Sequence, residues 1–512
     1  MTDAEPGLWL SYAGGVRRAG PSVEDLLSFI VRLSWVAVLT VLVGLYALGS
    51  AVFLILENRK PQSTVAWLFL LLVFPPGGLV IYFLFGQRRH AFSREAELTK
   101  LVEGTGLATR SARLLAEQPA KLAALVESYG EYAQVATTLW SAARAPLTFS
   151  NQLEVLQNGR EKYPRLLSDI REASHSIHLL YYEWSSDRFT EEVGRLLLEK
   201  VRQGVEVRVL YDPVGSLGML GRRYIRTLRR GGVQMVPFSP LYRLHTLSYR
   251  NHRKVAVIDG RIGYSGGLNM TERHLTGPPG FTGWRDTHAR VIGEAVPILQ
   301  GVFATMWHNT TGERLFDEAY FPETGDAGRR LPIQVVSEGP DSRWEAIRHS
   351  YLAMIAVAQR RVFLQSPFLI PDTSLGEALK TAALAGLDVR LMIAPRGAEL
   401  SPAYRAGMTY ALDMAEAGVQ VWLYEGDYFH AKTASVDSMV CSIGSANMDI
   451  RSFSINYETN LVIYDPFVAQ EVEADFMADL RRCVRFSPEA YRARRVTSRF
   501  VDSFLRLFSP LL

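Results

Sequence analysis

One block of sequence occurs twice in this chain with identical internal spacing, and it limits the fold more than any other feature. The first copy runs Arg250-Asn251-His252-Arg253-Lys254-Val255-Ala256-Val257-Ile258-Asp259 and continues to Gly266-Gly267-Leu268-Asn269. The second runs Tyr428-Phe429-His430-Ala431-Lys432-Thr433-Ala434-Ser435-Val436-Asp437 and continues to Gly444-Ser445-Ala446-Asn447. Both follow H-x-K, four residues, D, six residues, G-[GS]-x-N. A lone H-x-K would be noise. Two ungapped copies point to one site assembled from two duplicated halves.

The residues after each Lys are apolar or β-branched, as suits a strand buried on both faces. Residues two apart in a strand point the same way, so His252 and Lys254 face one side together, as do His430 and Lys432. Asp259 and Asp437 end these strands at turns and read as structural anchors of the motif. Short strands over 262–265 and 440–443 then lead to small residues, which admit close backbone approach, and to Asn269 and Asn447, whose amides are neutral donors. Two imidazoles, two ammoniums and two amides around one cavity suit a phosphodiester: donors for the non-bridging oxygens, a nucleophile, and an acid for the leaving group. The eight other histidines (His90, His175, His178, His245, His274, His288, His308 and His349) recur with no matching Lys and Asp, and are read as structural. The motif lysines repel cations, and the chain has neither H-E-x-x-H nor C-x-x-C, which argues against a metal site; no cofactor is expected.

The order of elements around the motifs also repeats. A helix near 163–173 precedes a strand at 177–182, and a second helix ends at Gly204 before a strand at 205–211; another strand follows at 232–236. The strands expected at 333–336, 362–365, 387–393 and 418–423 restate that order. Such alternation predicts an α/β fold: two duplicated domains, each a mixed sheet flanked by helices, related by a pseudo-twofold.

Ahead of them, Leu33 to Leu56 holds no charge over 24 residues, about 36 Å as a helix. A second uncharged run, Ser63 to Gly86, is interrupted by Pro75-Pro76-Gly77-Gly78. Two spans are expected, the second kinked or re-entrant. Arg17, Arg18 and Arg32 precede the spans and Arg88, Arg89, Arg94 and Lys100 follow, with only Arg59 and Lys60 between, a bias that favours a cytoplasmic catalytic part. The chain thus divides into an arm (1–32), two transmembrane segments (33–86), linker helices (87–150), two catalytic halves (151–325 and 326–490) and a tail (491–512). The tail carries five arginines, with apolar residues at three- and four-residue steps, a pattern that serves either a membrane surface or packing on the catalytic domain. The formal net charge of +4 suits an anionic membrane without demanding nucleic acid, and Cys441 and Cys483 make no disulfide framework.

The doubled H-K-D motif resembles that of the phospholipase D superfamily. The segments RNHRKVAVIDG, WRDTHARVIG, FHAKTASVD and GSANMDIRSFSINYETN, with the final Ser509-Pro510-Leu511-Leu512, resemble its bacterial cardiolipin synthases. The resemblance implies an inner-membrane enzyme that needs no metal and passes a phosphatidyl group from one phosphatidylglycerol to another through a phosphohistidine, giving cardiolipin. It implies His252 as nucleophile and His430 as acid. It assigns Asp286 and Glu458, roughly thirty residues beyond each His, to the far ring nitrogens, which such carboxylates orient. The loop Ser366 to Pro371 resembles a substrate-side loop in which the family often has Tyr where Phe368 stands. A phospholipase D-type hydrolase, or a transphosphatidylase using another lipid or alcohol, is the alternative; a nuclease, which uses the same motif, is disfavoured by the spans and by the lack of a concentrated basic, aromatic-rich groove.

Overall fold

The structure, a computed structural model, describes residues 22–57, 61–82, 106–239, 248–325, 327–342, 344–394 and 401–509. Arg17, Arg18, Arg59, Lys60, Arg88, Arg89, Arg94, Lys100, His90, His245 and the last three residues lie outside the described residues. The chain forms two compact units, 1–87 and 88–512.

In the first unit a helix runs over Val23–Leu56, so the last ten residues of the expected arm (1–32) are helical, and its first 21 lie outside the described residues. Ser22 caps the helix: its hydroxyl accepts from the Asp25 amide while the Asp25 carboxylate accepts from the Ser22 amide, a capping box. Among the described residues one helix, Ala37–Leu56, is long and apolar enough to cross a membrane. The second apolar run instead forms Pro61–Val73, about 20 Å long, and a short helix Pro75–Ile81. The break is at Phe74 (φ −134°, ψ 66°), because a residue before proline is driven out of the helical region. Tyr82 packs with Leu54 and Leu71 and its hydroxyl lies 2.9 Å from the Glu57 carboxylate.

The second unit is α/β. The first half contributes β1 (Leu147–Gln157), β2 (Ser176–Tyr181), β3 (Glu206–Tyr211), β4 (Gln234–Pro237), β5 (Lys254–Ile258), β6 (Ile262–Gly266), β7 (Trp284–Arg285) and β8 (Thr287–Gly293). The second contributes β9 (Arg330–Glu338), β10 (Arg361–Gln365), β11 (Leu369–Ile370), β12 (Asp388–Ile393), β13 (Gln420–Tyr424), β14 (Tyr428–Phe429), β15 (Thr433–Val436), β16 (Val440–Gly444), β17 (Met448–Asp449), β18 (Glu458–Ile463) and β19 (Cys483–Arg485). Fifteen of them join one mixed sheet in the order β19-β13-β12-β10-β15-β16-β18-β9-β1-β8-β6-β5-β2-β3-β4. Apart from β19 that order is a palindrome about the β9–β1 pair, which is antiparallel, as a twofold between the halves requires.

The two halves also face each other. Val255, Val257, Ala289 and Val291 share one core with Cys441, Ile443, Leu461 and Ile463. Two small ladders close the seam: β7 pairs in parallel with β14, and Asn251 bridges Tyr457. Both motif strands, β5 and β15, are buried along their whole length, as their β-branched sequences require.

A core shared in this way couples the stability of the halves. Leu461→Ala is expected to cost about 2–5 kcal/mol and to lower a single unfolding transition in calorimetry, whereas separate melting of the two halves would contradict the shared core.

Candidate active site

His252 precedes β5 by two residues and His430 precedes β15 by three, each at the strand end where the seam closes. His252 is fixed by its backbone, whose N–H donates to the Tyr457 carbonyl at 3.0 Å while the Tyr457 N–H donates to the Arg250 carbonyl at 2.8 Å. This bridge sets Glu458 beside the ring, with its carboxylate 2.9 Å and 3.1 Å from His252 Nδ1. The other histidine repeats the device. The His430 N–H donates to the Arg285 carbonyl at 2.8 Å, and Asp286 Oδ2 lies 2.8 Å from His430 Nδ1.

The carboxylates therefore cross over. Each lies about thirty residues beyond a histidine in sequence, which suggests pairing within a half; the structure pairs each with the histidine of the opposite half. The cause is the seam: parallel pairing of Trp284-Arg285 with Tyr428-Phe429 carries the next residue, Asp286, to His430. In the same way Asn251 opposite Tyr457 carries Glu458 to His252.

A carboxylate at Nδ1 holds the proton there and leaves Nε2 with its lone pair. Neither Nε2 has a hydrogen-bond partner among the described residues. Lys254 and Lys432 curl back so that each Nζ donates to the carbonyl of its own histidine at 2.5 Å, and Lys432 Nζ also lies 2.9 Å from His430 Nδ1. The groups of the two halves sense one another: the Lys432 charge bears on His252, and the Lys254 charge on His430.

Burial and like charge depress the bases. His430 is lowered to about 3, first by burial and then by Lys432, against the pull of Asp286. His252 is lowered by burial, with Glu458 opposing. Burial brings Lys254 down to about 7 and Lys432 to about 8. For Asp286, burial is outweighed by Lys432 and His430, which hold its carboxyl at about 2, and Glu458 is likewise lowered by His252 and Lys254 despite burial. Two ammoniums, two carboxylates and two neutral imidazoles sum to zero charge.

The small residues of G-[GS]-x-N serve the carboxylates more than a ligand. A Cβ on Gly267 would lie 1.9 Å from Asp286 Oδ1, so only glycine fits. The matching residue, Ser445, donates its hydroxyl to Glu458 Oε2 at 2.5 Å. Asn269 accepts from the Glu183 N–H at 3.2 Å through Oδ1, while the Asn447 side chain bonds Asp449. Both asparagines are buried at the ends of their motifs.

Asp259 and Asp437 stand apart from the imidazoles, five residues beyond each Lys or about 16 Å along the strand. Asp259 accepts the backbone N–H groups of Ser174, His175 and Ser176, and Asp437 those of Gln359, Arg360 and Arg361 plus the Tyr132 hydroxyl. Both have positive φ (52° and 54°), where an Asp is tolerated in a turn. They anchor the strand that carries each H-x-K.

Several neighbours carry no repeated pattern to mark them. Tyr182 sets its ring 4.8 Å from that of His252, edge-on. Trp284 directs Nε1 to Asp286 Oδ2 at 3.4 Å and lies 5.1 Å from the His430 ring. His274 and His288 accept the backbone N–H groups of Asn269 and Leu268, which fixes the first G-G-L-N loop. Phe368 sits in the loop whose Ser366 hydroxyl accepts the Met448 N–H at 2.9 Å and donates to the Phe368 carbonyl, so that loop is tied to the second motif.

Comparison with known proteins places this geometry. The family described as "Cardiolipin synthase, PLD-like domain" matches residues 166–278 and 351–480, and "Phospholipase_D-nuclease N-terminal" matches 42–87. A cardiolipin synthase of Geobacillus kaustophilus (strain HTA426) is 38% identical over 489 residues, covering 92% of this chain and 93% of that protein. One of Listeria monocytogenes serotype 4b (strain F2365) is 36% identical, covering 93% and 98%. The crystal structure of phosphatidylserine synthase from Haemophilus influenzae Rd KW20 shares the fold, with a TM-score of 0.55 at 14% identity over 74% of this chain and 100% of that one.

Two outcomes follow from the electrostatics and the anchors. The lysines are ammoniums below about 7 and 8 and neutral above, so kcat/KM is expected to fall as the pH rises through that window. Lys254→Arg, always charged, moves the lower break upward; a pH profile unchanged by the substitution contradicts this. Asp259→Ala is expected to cost about 1–3 kcal/mol of stability by thermal melting, while the folded enzyme keeps its pH profile.

Proposed function

The chain belongs to the cardiolipin synthase family with phospholipase D-like domains, and on that premise we propose that it joins two phosphatidylglycerol molecules into cardiolipin and glycerol through a phosphohistidine. It is a phosphatidyltransferase. The observation that supports this route is the pair of imidazoles across one seam, each held at Nδ1 by a carboxylate and free at Nε2.

In the first step His252 Nε2 attacks phosphorus and the bond to the glycerol oxygen breaks. His430 supplies the proton that the departing alkoxide needs. Burial and the Lys432 ammonium disfavour its imidazolium, but the incoming phosphodiester brings one negative charge, which offsets one added proton and restores neutrality. Lys254 and Lys432 turn from the histidine carbonyls to the non-bridging oxygens, and the amides of Asn269 and Asn447 complete the cradle, so that charge building at phosphorus meets fixed donors. In the second step neutral His430 takes the proton from the primary hydroxyl of a second phosphatidylglycerol. That oxygen attacks phosphorus, the P–N bond breaks, and His252 is released. One phosphodiester replaces another, so no nucleotide is consumed. Asp259 and Asp437 act by holding the strands. The chain's own side chains carry the protons in both steps, and the route calls for no cofactor or metal.

The site belongs at a membrane. The Ala37–Leu56 helix supports one span, and the broken pair Pro61–Val73 and Pro75–Ile81 a second, kinked crossing. The arginines and Lys100 that follow the apolar runs favour the cytoplasmic side of the cell membrane for the catalytic halves.

Membranes containing the enzyme, incubated with headgroup-labelled phosphatidylglycerol and no CTP, are expected to yield cardiolipin and one labelled glycerol per cardiolipin formed. His252→Ala and His430→Ala should each lose at least about 10³-fold in turnover. Phosphatidic acid as the main lipid product marks a hydrolase instead, and near-normal turnover in either variant contradicts a shared site.

A further inference from the structure

A helix on a protein surface ordinarily turns its apolar stripe inward and its charges to water. The C-terminal helix Val496–Arg506 does the reverse. Asp502 is fully buried on its inner side, where its carboxylate accepts from Arg405 Nε at 2.7 Å, Arg494 Nη1 at 2.8 Å and the Tyr491 hydroxyl at 3.2 Å. Arg405 Nη2 also donates to the Ser498 carbonyl at 3.2 Å. These bonds lock the rotation of the helix about its axis, with the polar side against the helix Pro402–Glu416. Val496, Phe500, Phe504 and Leu507 are left facing outward, at 70%, 68%, 48% and 73% exposure. The Phe500 and Phe504 rings stack on one another, at 6.3 Å, rather than on the core.

The charge around this face identifies its occupant. Arg492 pairs with Glu416, Arg506 with Asp413 and Arg494 with Asp502. Arg495 and Arg499 have no acidic partner among the described residues. A second copy docking through the same patch would set these arginines against themselves, because a twofold interface presents one surface twice. An anionic bilayer offers the complementary arrangement: acyl chains for the phenylalanines and phosphates for the arginines.

We propose that the outward face of Val496–Arg506 is a docking surface for an anionic lipid bilayer, lying in the interface plane. Its position suits an enzyme that draws its substrate from lipid. The helix beneath it packs on β11, β11 pairs with β17, and Asn447 directly precedes β17. The docked face is therefore one helix layer away from the second motif loop. The proposal does not depend on which lipid is donor or acceptor.

The test uses the full chain in vesicles. Phe504→Cys in a Cys483→Ser background is labelled with an environment-sensitive fluorophore, Cys441 being buried; Glu377→Cys, on another exposed helix, is the control. In phosphatidylglycerol vesicles the label at 504 is expected to shift to the blue and to be quenched by iodide at least fivefold less than the label at 377. Replacing the anionic lipid with phosphatidylcholine should shrink the shift. The Phe500→Asp, Phe504→Asp double variant should raise KM for vesicle substrate about tenfold with kcat retained. Equal iodide quenching at both sites, a shift indifferent to lipid charge, or energy transfer between labelled copies that accounts for the protection would each overturn the proposal.

Discussion

Two imidazole–carboxylate bonds, each made between opposite halves of the chain, are the constraint on which the rest of the structure depends. His252 Nδ1 lies 2.9 Å from Glu458 and His430 Nδ1 lies 2.8 Å from Asp286, with His252 and both carboxylates buried and His430 partly so. Removing one member of such a pair strands the other charge without water, which typically costs about 3–5 kcal/mol. Neither half can satisfy its own histidine. The palindromic sheet, the β7–β14 ladder and the Asn251–Tyr457 bridge can be understood as what it takes to bring each carboxylate across the seam.

The same burial crowds basic groups that depress one another. Lysines held at about 7 and 8 and a histidine at about 3 are bases depressed by burial and by each other, and a phosphodiester relieves that repulsion on entry. Binding and proton uptake are thus linked. In the proposed mechanism the group that donates a proton to the leaving oxygen becomes a competent acid only once the substrate's charge has arrived. Sites of this kind cost stability, and the shared core around Leu461 and Val255 supplies the rigidity that tolerates it.

Much of this is legible in the sequence. The doubled spacing marks the site, the β-branched runs place Val255–Ile258 and Thr433–Val436 on buried strands, and the repeated alternation of helix and strand gives the duplicated α/β fold. What sequence spacing does not reveal is the crossing, because it turns on one two-residue ladder and one single bridge between segments more than a hundred residues apart. The motif glycine illustrates the limit: Gly267 looks like room for a ligand, and the structure shows it as room for Asp286. The break in the second apolar run is legible as well, since Pro75 drives Phe74 out of the helical region. The tail's amphipathic period is plain, yet which side faces inward depends on Arg405, nearly a hundred residues before Asp502.

The central claim is that an imidazole at this seam carries the phosphatidyl group between two lipids. The most direct measurement is to mix enzyme with phosphorus-labelled phosphatidylglycerol, quench in alkali within one turnover, digest, and locate the label by mass spectrometry. The account predicts an alkali-stable, acid-labile phosphorus–nitrogen adduct on the peptide containing His252. Label on neither His252 nor His430, in enzyme that still turns over, would contradict it.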